Sequence, residues 1–117
     1  MPCPVVHFEI GCRDRDKSAS FYAHLFDWQM TPGDMATQIQ TDPGNPVTGH
    51  IVALGHEPFH YTNFYVEVSD LAAYLAKAAA LGGSTLIPPI PLPNGDSFAW
   101  LSDPDGNTVG LLQRAKP

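Results

Sequence analysis

Residues 5–10, VVHFEI, and residues 64–68, FYVEV, decide the fold between them. In the first stretch successive side chains of an extended strand point to opposite sides, so Val6, Phe8 and Ile10 face one way and His7 and Glu9 the other. One side suits a core, and the other is free to line a site. The apolar run ends at Gly11, and Asp14 or Asp16 caps a helix over 16–26 on which Ser18, Phe21, Tyr22 and Leu25 share a side. Trp28–Thr31, Ala36–Thr41 and the HIVAL stretch then read as three short strands, separated by turns at Pro32-Gly33-Asp34 and in DPGNP.

FYVEV opens the same series again. Ser69 or Asp70 caps a helix whose Leu71, Tyr74, Leu75 and Ala78 follow helical spacing, and Gly82-Gly83 ends it. STLIPPI, SFAWLS and TVGLLQ follow as strands, with turns at Asn94-Gly95 and in DPDGN. The prolines of 88–93 cannot donate to a ladder, which puts the first of these strands at a sheet edge. Shifting the sequence by 56 residues brings Phe8 onto Phe64, Asp14 onto Asp70, Ala23 onto Ala79 and Leu25 onto Leu81. The expected architecture is therefore α+β, one domain over 1–117 made of two βαβββ modules, about 1–56 and 57–117, joined near HEPFH.

Composition narrows the function. With 117 residues, 44% of them hydrophobic and 15% charged, the chain is long enough for a real core. A net charge of −6, with six Lys and Arg residues in no cluster, argues against nucleic acid and against an anionic membrane surface as partners. No apolar run approaches the roughly 18 residues of a membrane span, and the N-terminus lacks a secretory pattern. Cys3 and Cys12 stand roughly 30 Å apart along extended chain, beyond the reach of a disulfide, so a cytoplasmic protein with reduced thiols is expected.

VVHFEIGCRD, FYAHLFDW, YVEVSDLAAYLAKAAALGG and SDPDGNTVGLLQ together resemble the vicinal oxygen chelate superfamily, which includes glyoxalases, bleomycin-resistance proteins and extradiol dioxygenases. The resemblance spans nearly the whole chain and is thinnest at 29–48 and 84–94. It implies paired modules whose curved antiparallel and mixed sheets surround a pocket, a homodimer, and in the enzymes a divalent metal that polarises neighbouring substrate oxygens. Of the family's ligand positions, His7 matches the first-strand His. Asn63 stands at the second module's His, Gly110 at the late Glu, and Ala53 is the nearest match to the further Glu of some glyoxalases.

One imidazole with an amide does not make a catalytic divalent site, which takes about three protein ligands and an open position. No metal or other cofactor is therefore expected in the family's usual place. The leading expectation is a small organic ligand held between the modules by a polar wall of His7, Glu9, Asn63, Tyr65 and Glu67 over an apolar floor of Phe98 and Trp100. Two alternatives stay open. One is a metal-dependent lyase, isomerase or dioxygenase with a rearranged site of His7 and Glu9, Glu67 or His50; the other is metal-free acid–base catalysis by His7 with Glu9 or Glu67. HEPFH at 56–60 matches H-E-x-x-H, but Pro58 denies it the helix that this zinc motif needs.

Overall fold

The computed structural model describes residues 2–116. In chain order the elements are β1 (Val5–Gly11), α1 (Arg15–Phe26), β2 (Gln29–Pro32), β3 (Ala36–Gln40), β4 (Thr48–Val52), β5 (Tyr61–Glu67), α2 (Leu71–Ala80), β6 (Ser84–Pro91), β7 (Ser97–Ser102) and β8 (Thr108–Gln113). Strand, helix and three strands occur twice, so the chain is α+β with two βαβββ modules. The residues form two compact units, Val6–Asn63 and the residues from Phe64 onward with those up to Val5. The division falls inside β5, a few residues beyond HEPFH, and each unit has its own core. Among the described residues, no helix is long and apolar enough to cross a membrane.

In the unit Val6–Asn63 the strand order is β2-β3-β4-β1. The β2–β3 and β3–β4 pairs are antiparallel, and β4 runs parallel to β1. Asp14 caps α1 by accepting from the Lys17 N–H at 3.1 Å, and Asp27, at φ 60°, ends it in the left-handed region. Ile10, Cys12, Ile39 and Ile51 form the core, with Phe8, Ala19, Tyr22, Trp28 and Met30 packed against it. The helix thus contributes Ala19 and Tyr22. Phe21 and Leu25, expected on the packed side, are 59% and 57% exposed. The sheet sets this choice, because Gly49 leaves room for the Phe8 ring, which meets Trp28, and Trp28 stacks on Tyr22. A Cβ at Gly49 would lie 2.2 Å from Phe8.

In the other unit the order is β5-β8-β7-β6, with β5 parallel to β8 and the remaining pairs antiparallel. Asp70 caps α2 through the Ala73 N–H at 3.1 Å. Leu71 and Leu75 of that helix join Val68, Ala99 and Leu111 in the core. The proline-bearing β6 is the edge strand, and its register slips twice between Thr85 and Ile90. β5 begins at Tyr61, three residues earlier than the composition of FYVEV suggests.

Two expectations concern stability. In the DPDGN turn the Asp103 carboxylate accepts from the Asn107 side chain and backbone and from the Asp105 N–H, each at 2.9 Å. These bonds hold its pKa below the ordinary aspartate value. Their contribution is therefore fully present above the unfolded value of about 3.9 and is lost as pH falls through the lower folded value; an NMR titration of Asp103 reads it directly. Thr37 is buried with its Oγ1 unpaired on the core side of β3. Thr37→Val should stabilise the protein by about 1 kcal/mol, read as a rise of roughly 4 °C in Tm.

Candidate functional site

The strand register of the unit Val6–Asn63 builds two polar rows. His7 lies beside Thr48 and Thr48 beside Gln40; Glu9 lies beside His50 and His50 beside Gln38. Residues paired across strands share a face, so all six side chains stand opposite the Ile10–Ile39–Ile51 core. This is the side to which alternation in VVHFEI sends His7 and Glu9.

The rows are joined by a run of hydrogen bonds. The Thr48 hydroxyl is 2.6 Å from His7 Nδ1, His7 Nε2 is 2.6 Å from His50 Nδ1, and His50 Nε2 is 3.2 Å from Glu9 Oε1. Tyr61 donates its phenol proton to Glu9 Oε2. The two imidazoles stack with centroids 4.9 Å apart. With Glu9 as a carboxylate, which only accepts, the proton positions follow in sequence. His50 carries its proton on Nε2 and accepts at Nδ1; His7 then donates from Nε2 and accepts the Thr48 proton at Nδ1. Two neutral imidazoles and one carboxylate thus satisfy these four bonds. One added proton fits if the direction of the first bonds reverses, whereas two would set N–H against N–H at 2.6 Å.

Burial grades this run from outside to inside. Thr48 is exposed and His7 half-buried, His50 is 20% exposed, and Glu9 is 4% exposed. Burial and the hydrogen bond to Glu9 push the Tyr61 phenol far up, so it remains a donor. Gly11 makes space for that ring, since a Cβ there would lie 2.1 Å from it. Asn63, on the same face of β5 as Tyr61, is 5% exposed, and neither its Oδ1 nor its Nδ2 has a partner.

The other unit carries different chemistry at the corresponding places. Tyr65 lies beside Gly110 and Gly110 beside Trp100. The Tyr65 ring covers Gly110 so closely that a Cβ there would lie 2.5 Å from it. Trp100 Nε1 donates to the Tyr65 hydroxyl at 2.8 Å, and Phe98 meets the Tyr65 ring edge-on at 6.4 Å. These aromatics lie opposite the Ala99–Leu111 core face. Glu67 pairs with Arg114 at 3.1 Å and edges a cavity of about 320 Å³ with Cys3 and Tyr74. A second cavity, about 310 Å³, lies in the unit Val6–Asn63 and is edged by Cys12, Arg13, His56 and Phe59. His56 and His60 of HEPFH are not in a helix.

Of the seven residues singled out in the sequence, His7 and Glu9 thus meet through His50, Phe98 and Trp100 each meet Tyr65, Glu67 turns to Arg114, and Asn63 is buried with its amide unpaired. Thr48 and Tyr61 were not foreseen. Their signal was period-two alternation: Thr48 and His50 alternate with buried Gly49 and Ile51, and Tyr61 is one step before Asn63. One position needs correction. Glu9 pairs with His50, and its counterpart under the 56-residue shift, Tyr65, pairs with Gly110. The module-one counterpart of Gly110 is therefore His50, not Ala53.

These residues do not suit the family's metal. His50 directs one nitrogen to His7 and the other to Glu9, so the donors follow one another in a line, and the second module offers an amide and a ring-covered glycine. Among the described residues, no group of three or more His, Cys, Asp or Glu side chains is placed to hold an ion. Tyr61→Phe should cost about 1–3 kcal/mol by removing one donor from a buried carboxylate; denaturant unfolding of the variant measures it.

Residues 6–112 match the family model described as a glyoxalase-like domain. A glyoxylase-like domain-containing protein of Didymella fabae is 30% identical over 115 residues, covering 91% of this chain and 90% of its own length. Methylmalonyl-CoA epimerase from Mycobacterium tuberculosis superposes with a TM-score of 0.74 at 14% identity, covering 96% of this chain and 88% of that one. A glyoxalase/bleomycin resistance protein/dioxygenase superfamily member from Vibrio splendidus 12B01 gives 0.68 at 17% identity, covering 97% and 100%. The chain belongs to the glyoxalase-like domain family, within the vicinal oxygen chelate superfamily.

Proposed function

We propose that this glyoxalase-like protein binds a small polar organic molecule on the face that carries His7, Glu9 and Asn63, and that the His7–His50–Glu9 run exchanges a proton with it. The observation behind this reading is the unbroken set of hydrogen bonds from exposed Thr48 to buried Glu9. Such a run gives His7 what a general base needs, a partner that takes the proton onward and a carboxylate that stabilises the resulting charge.

A proton taken up at His7 Nδ1 displaces the Thr48 hydrogen bond. The Nε2 proton of His7 passes to His50 Nδ1, and His50, now an imidazolium, keeps its Nε2 proton against Glu9. The positive charge comes to rest beside the carboxylate, and the reverse sequence returns a proton to the ligand. Tyr61, always a donor, holds the other Glu9 oxygen and fixes its orientation.

Hydroxyacetone in D2O is a direct probe, because a general base exchanges the hydrogens beside its carbonyl for deuterium. The wild-type chain should accelerate that exchange, His7→Gln should lose roughly 100-fold, and His50→Gln should lose rate while retaining binding. An exchange rate unchanged in His7→Gln, together with unaltered affinity in His7→Ala, overturns the reading.

A further inference from the structure

We infer that Asn63 is a ligand-reading residue and that the group it reads presents a neighbouring N–H donor and C=O acceptor, as in a lactam or another cis-amide edge. The inference deepens the proposed function and rests on its placing the ligand beside His7 and Glu9.

Buried side-chain polar atoms in folded proteins almost always have partners. Asn63 is 5% exposed, yet both its amide oxygen and its amide nitrogen lack one. Thr37 provides the contrast: its single unpaired hydroxyl lies on the core side of β3, among Ile39 and Ile51. Asn63 lies instead on the β5 face that also bears Tyr61, whose phenol reaches Glu9.

A carboxamide offers an acceptor and a donor side by side, about 2.3 Å apart across one carbon. Its complement is the same pair in reverse order, which an amide in the cis arrangement presents and an ester does not. Neighbouring Glu9 and Tyr61 are committed to each other and His50, so selectivity for that edge falls to Asn63. Neither amide atom touches solvent, so a ligand reaches them by moving a neighbouring side chain, a rotamer change common on binding. A site built to pair a donor strongly rejects an analogue that lacks it, because its own polar group is then left unsatisfied.

The test uses 2-pyrrolidinone and its ester analogue γ-butyrolactone, with ¹H–¹⁵N NMR of the intact chain. The lactam should shift the Asn63 side-chain NH2 signals saturably, and the lactone should bind at least ~10-fold more weakly, the worth of one hydrogen bond. Asn63→Leu should abolish that discrimination and at the same time raise Tm by roughly 4 °C, because it removes an unpaired buried amide. A Tm lowered in Asn63→Leu, equal binding of lactam and lactone, or unmoved Asn63 NH2 signals each overturns the inference. The His7 variants separate the two readings: lactam selectivity that persists with unaltered affinity in His7→Ala, together with an exchange rate unchanged in His7→Gln, leaves the Asn63 inference standing and removes the one centred on His7.

Discussion

The parallel pairing of β1 with β4 is the constraint on which the site depends. It sets Glu9 beside His50 and His7 beside Thr48, and so gives the buried carboxylate its imidazole. A carboxylate this deep must be compensated, and an imidazole N–H and a phenol that stays protonated both serve here, with Gly11 leaving room for the phenol ring. Core and site are two faces of one decision. The register that sends Ile10, Ile39 and Ile51 to the core sends Glu9, Gln38 and His50 to the other side.

The two modules share a topology but have diverged in chemistry. Where the first has Glu9 beside His50, the second has Tyr65 beside Gly110, and the aromatic ring fills the space that a side chain at 110 would need. The first module's face is polar and hydrogen-bonded; the second's is aromatic, closed by the Trp100–Tyr65 bond. Glu67, paired with Arg114 at 3.1 Å, keeps a carboxylate in the second module as well. At the family's ligand positions the first module carries His7 and His50, and the second carries Asn63 and Gly110.

Much of the fold was legible because its signals are local. Asp14 and Asp70 announce helix starts through carboxylates that pair with N–H groups three residues on, and both do so. The prolines of 88–93 mark an edge strand because they lack donors, and β6 is at the edge. Less was legible of α1: Phe21, Tyr22 and Leu25 share a helical side, but only Tyr22 packs inward, because Trp28 stacks on it and occupies the adjoining space. Helical periodicity names a stripe; what lies opposite it decides which part of the stripe is covered.

By itself, the sequence determined the order of elements, their repeat after 56 residues, and the faces of the strands, since each follows from spacing along one backbone. It also placed His7 and Glu9 together on one side of β1. Tertiary structure alone decided that His50 stands between them, that Tyr61 reaches Glu9, and that Tyr65 covers Gly110. Those contacts join residues 41 to 52 positions apart. Their register comes from packing two sheet faces at once, a global condition that no window of sequence contains.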